Sequence, residues 1–153
     1  MEIKRILVPH DGNQMSDKAV LYASKLAKAL NAEIMLLYVI EEMEVPATLL
    51  LGNDRVLIAR ARRNIQRELE QNWNRFVQEK VKSLSAEKIG VSTDIRTGDA
   101  AEQIVKFAKE NQADLIVMGS RRLEGGVSKV VVALGSVARK VSERASCPVM
   151  LVH

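Results

Sequence analysis

The stretch Ile34-Met-Leu-Leu-Tyr-Val-Ile40 decides the fold class, because it is an uninterrupted apolar run with the length of a β-strand. A strand with one face in water would alternate polar and apolar residues, whereas this stretch is apolar on both faces. Two buried faces are typical of a central strand in a parallel sheet, where crossover helices cover each side. Residues 34–40 therefore predict an α/β protein.

The segments on either side of this strand continue a pattern of alternating strands and helices. Apolar runs predict further strands at residues 3–8, 89–96, 114–118 and 148–152. Apolar residues spaced three and four apart predict helices at about 16–30, 58–84, 99–108 and 135–143. Asn13 or Ser16 is available to cap the first helix, and Asp99 to cap the third. We expect one domain over residues 1–153, an open, doubly wound, Rossmann-like parallel sheet of five strands with helices on both faces.

The composition excludes several classes of function. With 47% apolar and 27% charged residues, the 153-residue chain has the make-up of one ordinary globular domain. Only 3% of the residues are Phe, Trp or Tyr, so a surface that stacks successive nucleobases is hard to supply. A net charge of +4 is also too small to indicate a nucleic-acid partner. No apolar run approaches the roughly 18 residues of a membrane helix, so we expect no membrane partner either.

The cysteine content indicates a compartment. Cys147 is the single cysteine, which rules out an intrachain disulfide and fits a reducing environment. The opening residues Met1 to Arg5 lead straight into a strand and lack the apolar core of a signal peptide. We therefore expect a cytoplasmic protein in which Cys147 packs as a small hydrophobic residue.

The loop after the fourth predicted strand is the strongest candidate for a binding site. Ligands of doubly wound sheets bind at the carboxyl ends of the strands, here the loops at 9–13, after residue 41 and at 119–135. The last loop is rich in glycine and leads to Gly135-Ser136 at a predicted helix start, which favours phosphate. Arg121, Arg122 and Lys129 add positive charge. On spacing alone, the alternative is an ordinary flexible loop with a serine near a helix cap. A Walker loop and a dinucleotide fingerprint are both excluded, because neither Gly-Lys-Ser/Thr nor Gly-x-Gly-x-x-Gly is present.

Four segments together resemble the universal stress protein family over essentially the whole chain. They are Ile6-Leu-Val-Pro-His-Asp-Gly12, Asp114-Leu-Ile-Val-Met-Gly-Ser-Arg121, Gly135-Ser-Val-Ala138 and Cys147-Pro-Val-Met-Leu-Val152. The resemblance implies an adenine nucleotide alpha hydrolase-like fold. In nucleotide-binding members it also implies a motif around the ribose and phosphates of ATP, which reads Gly, two residues, Gly, nine residues, Gly and Ser or Thr.

The glycine loop departs from that motif in one interval. Gly119 and Gly125 are separated by five residues, whereas the nine residues before Gly135-Ser136 are retained. Either an insertion of three residues enlarges the phosphate loop and Gly125 takes the place of the second glycine, or the loop no longer holds phosphate in the family manner. The intact second interval favours the first interpretation.

The resemblance assigns nucleotide contacts to positions in three loops. Asp11 would lie near the ribose and, in some members, near the phosphates or their metal, so it is the expected Mg²⁺ ligand. The backbone of Val39 would contact adenine, and a helix start at Ser136 would bind phosphate. The full set expected to bind ATP is Pro9, His10, Asp11, Val39, Met118, Gly119, Arg121, Gly125, Gly135, Ser136 and Val137.

Two further features have plainer interpretations. His10 and Asp11 are adjacent on an extended segment and point to opposite sides, so we expect a loop histidine and no catalytic pair. The basic stretch 55–67 fits an anion or partner surface, but a solvated helix face is the preferred interpretation. An apolar stripe on the same helix is expected to form core or a subunit interface. It consists of Ile65, Leu69, Trp73 and Phe76.

The leading hypothesis is a small cytoplasmic ATP-binding stress-response module with at most slow ATP hydrolysis, because no residue is placed for rapid phosphoryl transfer. A second hypothesis is a family member that binds no nucleotide and acts through protein association. A third is a true ATPase or phosphotransferase that uses Asp11 and Mg²⁺. The resemblance also implies a homodimer through residues 148–152, an apolar edge strand with no charge to protect it.

Overall fold

The computed structural model describes residues 2–42, 54–120, 122–123 and 133–153, which form alternating strands and helices. The strands are β1 (Arg5–Pro9), β2 (Glu33–Ile40), β3 (Val91–Thr97), β4 (Leu115–Gly119), β5 (Arg122–Leu123), β6 (Ala133–Leu134) and β7 (Val149–Val152). The helices are α1 (Gln14–Leu30), α2 (Arg55–Ala86), α3 (Ala100–Glu110) and α4 (Ser136–Arg144). Within these ranges, no helix is both long and apolar enough to cross a membrane.

Five of the strands form one parallel sheet in the order β3-β2-β1-β4-β7, which confirms the doubly wound architecture predicted from the sequence. Leu7 of β1 lies beside Met35 of β2 and Ile116 of β4, so β1 is the central strand. β5 and β6 form a separate antiparallel pair in a segment that the sequence predicted only as a loop. Strands of two residues are too short to produce a periodic pattern.

Both faces of the central strands are buried, as the apolar run 34–40 predicted. Ile6 and Val8 pack in the cluster beneath α1 and α2, whereas Leu7 packs in the cluster beneath α3 and α4. The same alternation holds along β2, because successive residues of a strand point to opposite faces. Cys147 packs against the second cluster, as predicted, and its burial raises the pKa of the thiol.

Helix α2 is longer than the sheet on which it packs. Its 32 residues extend about 48 Å, whereas the eight residues of β2 extend about 26 Å. Trp73 is buried and Phe76 packs against the core, but Ile65 is 42% exposed and Leu57 is 66% exposed. The predicted apolar stripe is therefore core in the second half of α2, and it leaves the core toward the N-terminus, where the arginines of residues 55–67 are also exposed.

The third strand begins later than predicted because residue 89 bonds back to the last turn of α2. Lys88 adopts the left-handed conformation, with φ at 61°, and the Ile89 N–H donates to the carbonyl oxygen of Leu84 at 3.1 Å. Ile89 is buried with the helix end. Its apolar side chain thus closes a helix and does not start a strand, so β3 begins at Val91.

Candidate functional site

The sheet has its topological switch point between β1 and β4. From β1 the chain passes through α1 to β2 on one side, and α3 later carries it from β3 across to β4 on the other side. Loops at the carboxyl ends of two such strands diverge and leave a crevice, which is where open α/β sheets bind ligands. A cavity of about 590 Å³ lies there. This volume is within the usual range for small-molecule sites.

Most residues that the sequence proposed for nucleotide binding surround this cavity. Nine of them line it: Pro9, His10, Asp11, Val39, Met118, Gly119, Gly135, Ser136 and Val137. The other two, Arg121 and Gly125, lie outside the described residues. The wall also contains residues that were not proposed as binding residues, among them Asn13, Ser16, Tyr38, Glu41 and Leu69. Tyr38 lies near the end of β2 and Glu41 directly follows this strand, so their position at its carboxyl end was the available signal.

Asp11 is held at the crevice by hydrogen bonds with its own loop and with the first turn of α1. Its carboxylate accepts from the side-chain amide of Asn13 at 2.6 Å, from the Asn13 backbone N–H at 3.2 Å, and from the Ser16 hydroxyl. Asn13 is also the cap of α1, accepting from the backbone N–H groups of Met15 and Ser16 at 2.8 and 3.0 Å. Of the two candidate caps, the structure therefore selects Asn13, while Ser16 orients Asp11.

His10 lies in the cavity wall and is only 3% exposed. Its Nδ1 accepts from the Gly12 N–H at 3.0 Å, its Nε2 lies 3.4 Å from Asp17 Oδ1, and its ring centroid lies 4.4 Å from that of Phe76. Burial lowers the pKa of His10, although Asp17 acts in the opposite direction, so the imidazole is neutral at pH 7. The expected loop histidine is thus a packed, hydrogen-bonded residue whose carboxylate contact is Asp17 and not its neighbour Asp11.

The first residues of three helices contribute to the cavity wall, and these helices differ in how their N-termini are satisfied. Asn13 caps α1, and Asp99 caps α3 by accepting from the Glu102 N–H at 2.9 Å. Gly135 precedes α4 without a side chain, and the first turn of α4 has no acidic residue. The N-terminus of α4 therefore offers backbone N–H groups and a positive partial charge to the cavity at Ser136.

Gly119 is required by packing between α1 and β4. A Cβ atom at this position would lie 2.6 Å from the backbone carbonyl carbon of Met15 and 2.8 Å from its oxygen. The first turn of α1 thus crosses the end of β4 too closely for any side chain. This explains the first glycine of the motif without any reference to a ligand.

The wall also contains apolar side chains at the ends of β2 and β4 and on α3, among them Val39, Ile40, Ile104 and Met118. These apolar side chains, an oriented carboxylate and a bare helix N-terminus together suit a ligand with an apolar ring, hydroxyl groups and an anionic group. Among residues 2–42, 54–120 and 133–153, no three His, Cys, Asp or Glu side chains come together to hold a metal. Within this part of the chain, Asp11 is the carboxylate that lines the crevice next to the α1 cap, and oxygens of a ligand and water could complete the coordination of a Mg²⁺ ion there.

Comparisons with known proteins give relatives of similar length. Universal stress protein YxiE of Bacillus subtilis is 36% identical, and the match covers 97% of this chain and 98% of the relative. Universal stress protein MJ0531 of Methanocaldococcus jannaschii is 33% identical, with 97% of this chain and 81% of the relative covered. The structure of universal stress protein UspA from Lactobacillus plantarum is 28% identical, with a TM-score of 0.73 over 100% of this chain and 99% of that chain.

Two of the more distant structures have the same fold and contain a bound ligand. One is a universal stress protein in complex with cAMP, 21% identical with a TM-score of 0.65 over 100% of this chain and 98% of that chain. Another is the universal stress protein from Archaeoglobus fulgidus in complex with dAMP, 18% identical with a TM-score of 0.63 over 100% of both chains. The family model described as universal stress protein family matches residues 2–153. This chain belongs to the universal stress protein family.

Proposed function

We propose that this universal stress protein binds ATP in the crevice between β1 and β4 and acts as a nucleotide-responsive regulatory module. The observation that carries the proposal is that an oriented carboxylate, Asp11, and a bare helix N-terminus at Ser136 line the same cavity. The cAMP and dAMP complexes of two proteins with this fold support the same class of ligand.

The phosphates are assigned to the N-terminus of α4. Because α1 and α3 are capped by their own Asn13 and Asp99 side chains, α4 is the helix in the cavity wall whose capping residue, Gly135, leaves the first N–H groups to another acceptor. The Ser136 hydroxyl is exposed and can add a further donor. Arg121 and Gly125 complete this proposed phosphate site, in the interpretation that the longer Gly119–Gly125 interval enlarges the loop.

The ribose and base are assigned to the remaining wall. Asp11 can accept hydrogen bonds from ribose hydroxyl groups, because Asn13 and Ser16 already fix its direction. The adenine ring would lie against the apolar residues at the ends of β2 and β4, with the backbone of Val39 recognising its polar edge. Pro9, His10, Met118 and Gly119 form the wall between these two ends.

Mg²⁺, when bound, would neutralise phosphate charge, with Asp11 as one ligand and phosphate oxygens and water as the others. The residues of the wall offer little for rapid hydrolysis. Both ring nitrogens of His10 are engaged, by Gly12 and Asp17, so His10 is not placed as a general base for an attacking water. We therefore propose at most slow turnover, in accord with a regulatory protein.

Calorimetric titration with Mg-ATP tests this function. We expect saturable heat, and a stabilisation of about 2.7 kcal/mol when ATP exceeds its Kd a hundredfold. Asp11→Asn should weaken binding by about tenfold, the effect of one lost hydrogen bond to a charged group, whereas the matched control Asp54→Asn should not. No heat with ATP, ADP or AMP, together with no nucleotide in the mass spectrum of purified protein, would favour the alternative function, in which the protein acts through association without nucleotide.

We further propose a homodimer through the open edge of β7, which ends the sheet. The carbonyl groups of Pro148 and Val152 accept from N–H groups of Ile116 and Ser120, so these residues face β4. Successive residues of a strand direct their backbone groups to opposite sides, so the N–H group of Leu151 points to the open edge. Leu151→Pro removes one such N–H group without breaking the sheet. We expect a dimer mass by light scattering for the natural chain and a monomer for the variant, and a monomer for both would reject the dimer.

A further inference from the structure

A buried imidazole connects the crevice to helix α2, and its hydrogen bonds assign its tautomer. The Gly12 N–H donates to Nδ1 of His10 at 3.0 Å, so Nδ1 is the unprotonated nitrogen. The ring proton is therefore on Nε2, which lies 3.4 Å from Oδ1 of Asp17 in α1. Asp17 in turn pairs with Lys80 of α2 at 3.0 Å. The His10 side chain thus connects the first loop to α1 and, through Asp17, to α2.

The orientation of this ring is fixed by its surroundings. The centroid of the His10 ring lies 4.4 Å from that of Phe76 and 5.8 Å from that of Trp73, both in α2. The Lys80 ammonium lies over the ring of Phe76, 5.2 Å from its centroid. Because the imidazole is buried and held by aromatic contacts on α2 and by Asp17 on α1, its Nδ1 points in one direction, toward Gly12.

That direction matters because Gly12 is the turning point of the loop that carries Asp11. Gly12 adopts φ 84°, a left-handed conformation, and its N–H bond to His10 fixes the peptide between Asp11 and Gly12. We propose that His10 is a positioning residue, which places the Asp11 carboxylate for a ligand through Gly12 and is itself anchored to α2 through Asp17. The ligand part of this inference rests on the proposed nucleotide binding, whereas the tautomer and the loop geometry do not.

Two substitutions separate the nitrogens of His10. His10→Asn retains an acceptor near the position of Nδ1 and loses the group at Nε2, whereas His10→Gln retains a polar group near Nε2 and loses the acceptor for Gly12. His10→Leu loses both, and His153→Leu is the matched control at the exposed terminal histidine. We expect the Kd for Mg-ATP to rise about tenfold in His10→Gln and His10→Leu, and to rise clearly less in His10→Asn, which keeps the acceptor for Gly12.

A merely structural role would lower thermal stability and affinity alike in all three variants, so the split between Asn and Gln is the decisive observation. His10→Asn binding as weakly as His10→Leu, or His10→Gln binding as tightly as the natural chain, would overturn the proposal. Melting temperatures measured on the same samples establish that each variant is folded.

Nitrogen NMR of the ligand-free protein gives an independent test. We expect a proton on Nε2 and none on Nδ1 of His10, and slow amide exchange at Gly12 that is kept in His10→Asn and lost in His10→Gln. A proton on Nδ1, or equal Gly12 exchange in both variants, would overturn the proposal. If the natural chain binds no nucleotide but these NMR results hold, the proposed nucleotide binding fails while the positioning of the Asp11 loop by His10 stands.

Discussion

The first loop, residues 9–13, and the start of α4 at Gly135-Ser136 line one crevice but differ in how their hydrogen-bonding groups are satisfied. Asp11 and Asn13 of the first loop and Ser16 of α1 form hydrogen bonds with one another, and Asn13 caps the N-terminus of α1. At the start of α4, by contrast, the capping residue is Gly135, which has no side chain to accept from the first N–H groups. A loop with its donors already used presents acceptors to a ligand, and a bare helix N-terminus presents donors. We therefore assign the hydroxyl groups of the ligand to the first loop and its phosphate groups to the start of α4.

The largest expected effect comes from a carboxylate at the bare helix start. Ser136→Asp should stabilise α4 by about 0.3–1 kcal/mol through the helix dipole, while it repels a phosphate at the same place. We expect the affinity for Mg-ATP to fall by roughly a hundredfold, as like charges in contact cost several kcal/mol. Thermal melts and calorimetry measure both. A variant that is more stable and binds ATP as well as the natural chain would show that α4 is not the phosphate site.

The next effect concerns the packing beneath the first loop. Gly119→Ala should destabilise the protein by about 1–3 kcal/mol, because its Cβ would lie 2.6 Å from the Met15 backbone and α1 must shift. Gly90→Ala is the matched control, since a Cβ there meets only Glu33 Cβ at 3.5 Å. Urea unfolding measures both variants. Equal stability of the two would mean that the approach of α1 to β4 does not require glycine.

A smaller effect distinguishes the two capped helices. Asn13→Ala and Asp99→Ala should each cost about 1 kcal/mol of stability through loss of a cap. Only Asn13→Ala should also weaken Mg-ATP binding, because Asn13 orients Asp11, whereas Asp99 bonds the N–H of Glu102 and the ammonium of Lys140. Urea unfolding and calorimetry on the same two variants test this. If the two variants bound Mg-ATP with equal affinity, the cap of α1 would have no role in ligand binding.

The smallest effect is on the pH dependence of stability. The Glu102 N–H lowers the pKa of Asp99 below its usual 3.8, and the N–H groups of Lys4 and Arg5 lower that of Asp114. A lowered folded-state pKa gives stability that is present above pH 3.8 and is lost as the pH falls through the folded-state value. Asp99→Asn should therefore flatten the loss of stability below about pH 4. Identical acid unfolding of the variant and the natural chain would contradict the cap at α3.

Much of the fold and part of the candidate site could be predicted from local sequence. The run 34–40 revealed a strand buried on both faces, and the strand ends led to the loops that surround the cavity. Ile89 misled the prediction because an apolar residue that closes a helix has the same local pattern as one that starts a strand. Sequence spacing alone therefore predicts where the helices and strands lie more accurately than it predicts the residues at which they begin and end.

The contacts that orient the site could not be predicted in the same way. His10 meets Asp17 seven residues later and Phe76 on a helix far along the chain, and no periodicity connects these positions. The family motif assigns Gly119 to nucleotide binding, yet its close contact with Met15 arises only when α1 crosses β4. Such contacts depend on how elements cross in three dimensions, which the order of elements does not specify.

The most direct test of the division between the two regions is calorimetric titration of Mg-ATP and adenosine into the natural chain and Ser136→Asp. If phosphate binds at α4 and the nucleoside binds elsewhere in the crevice, the natural chain prefers ATP to adenosine. The substitution should then remove that preference and leave the affinity for adenosine unchanged. An equal loss of affinity for both ligands, or an unchanged preference for ATP, would contradict the account.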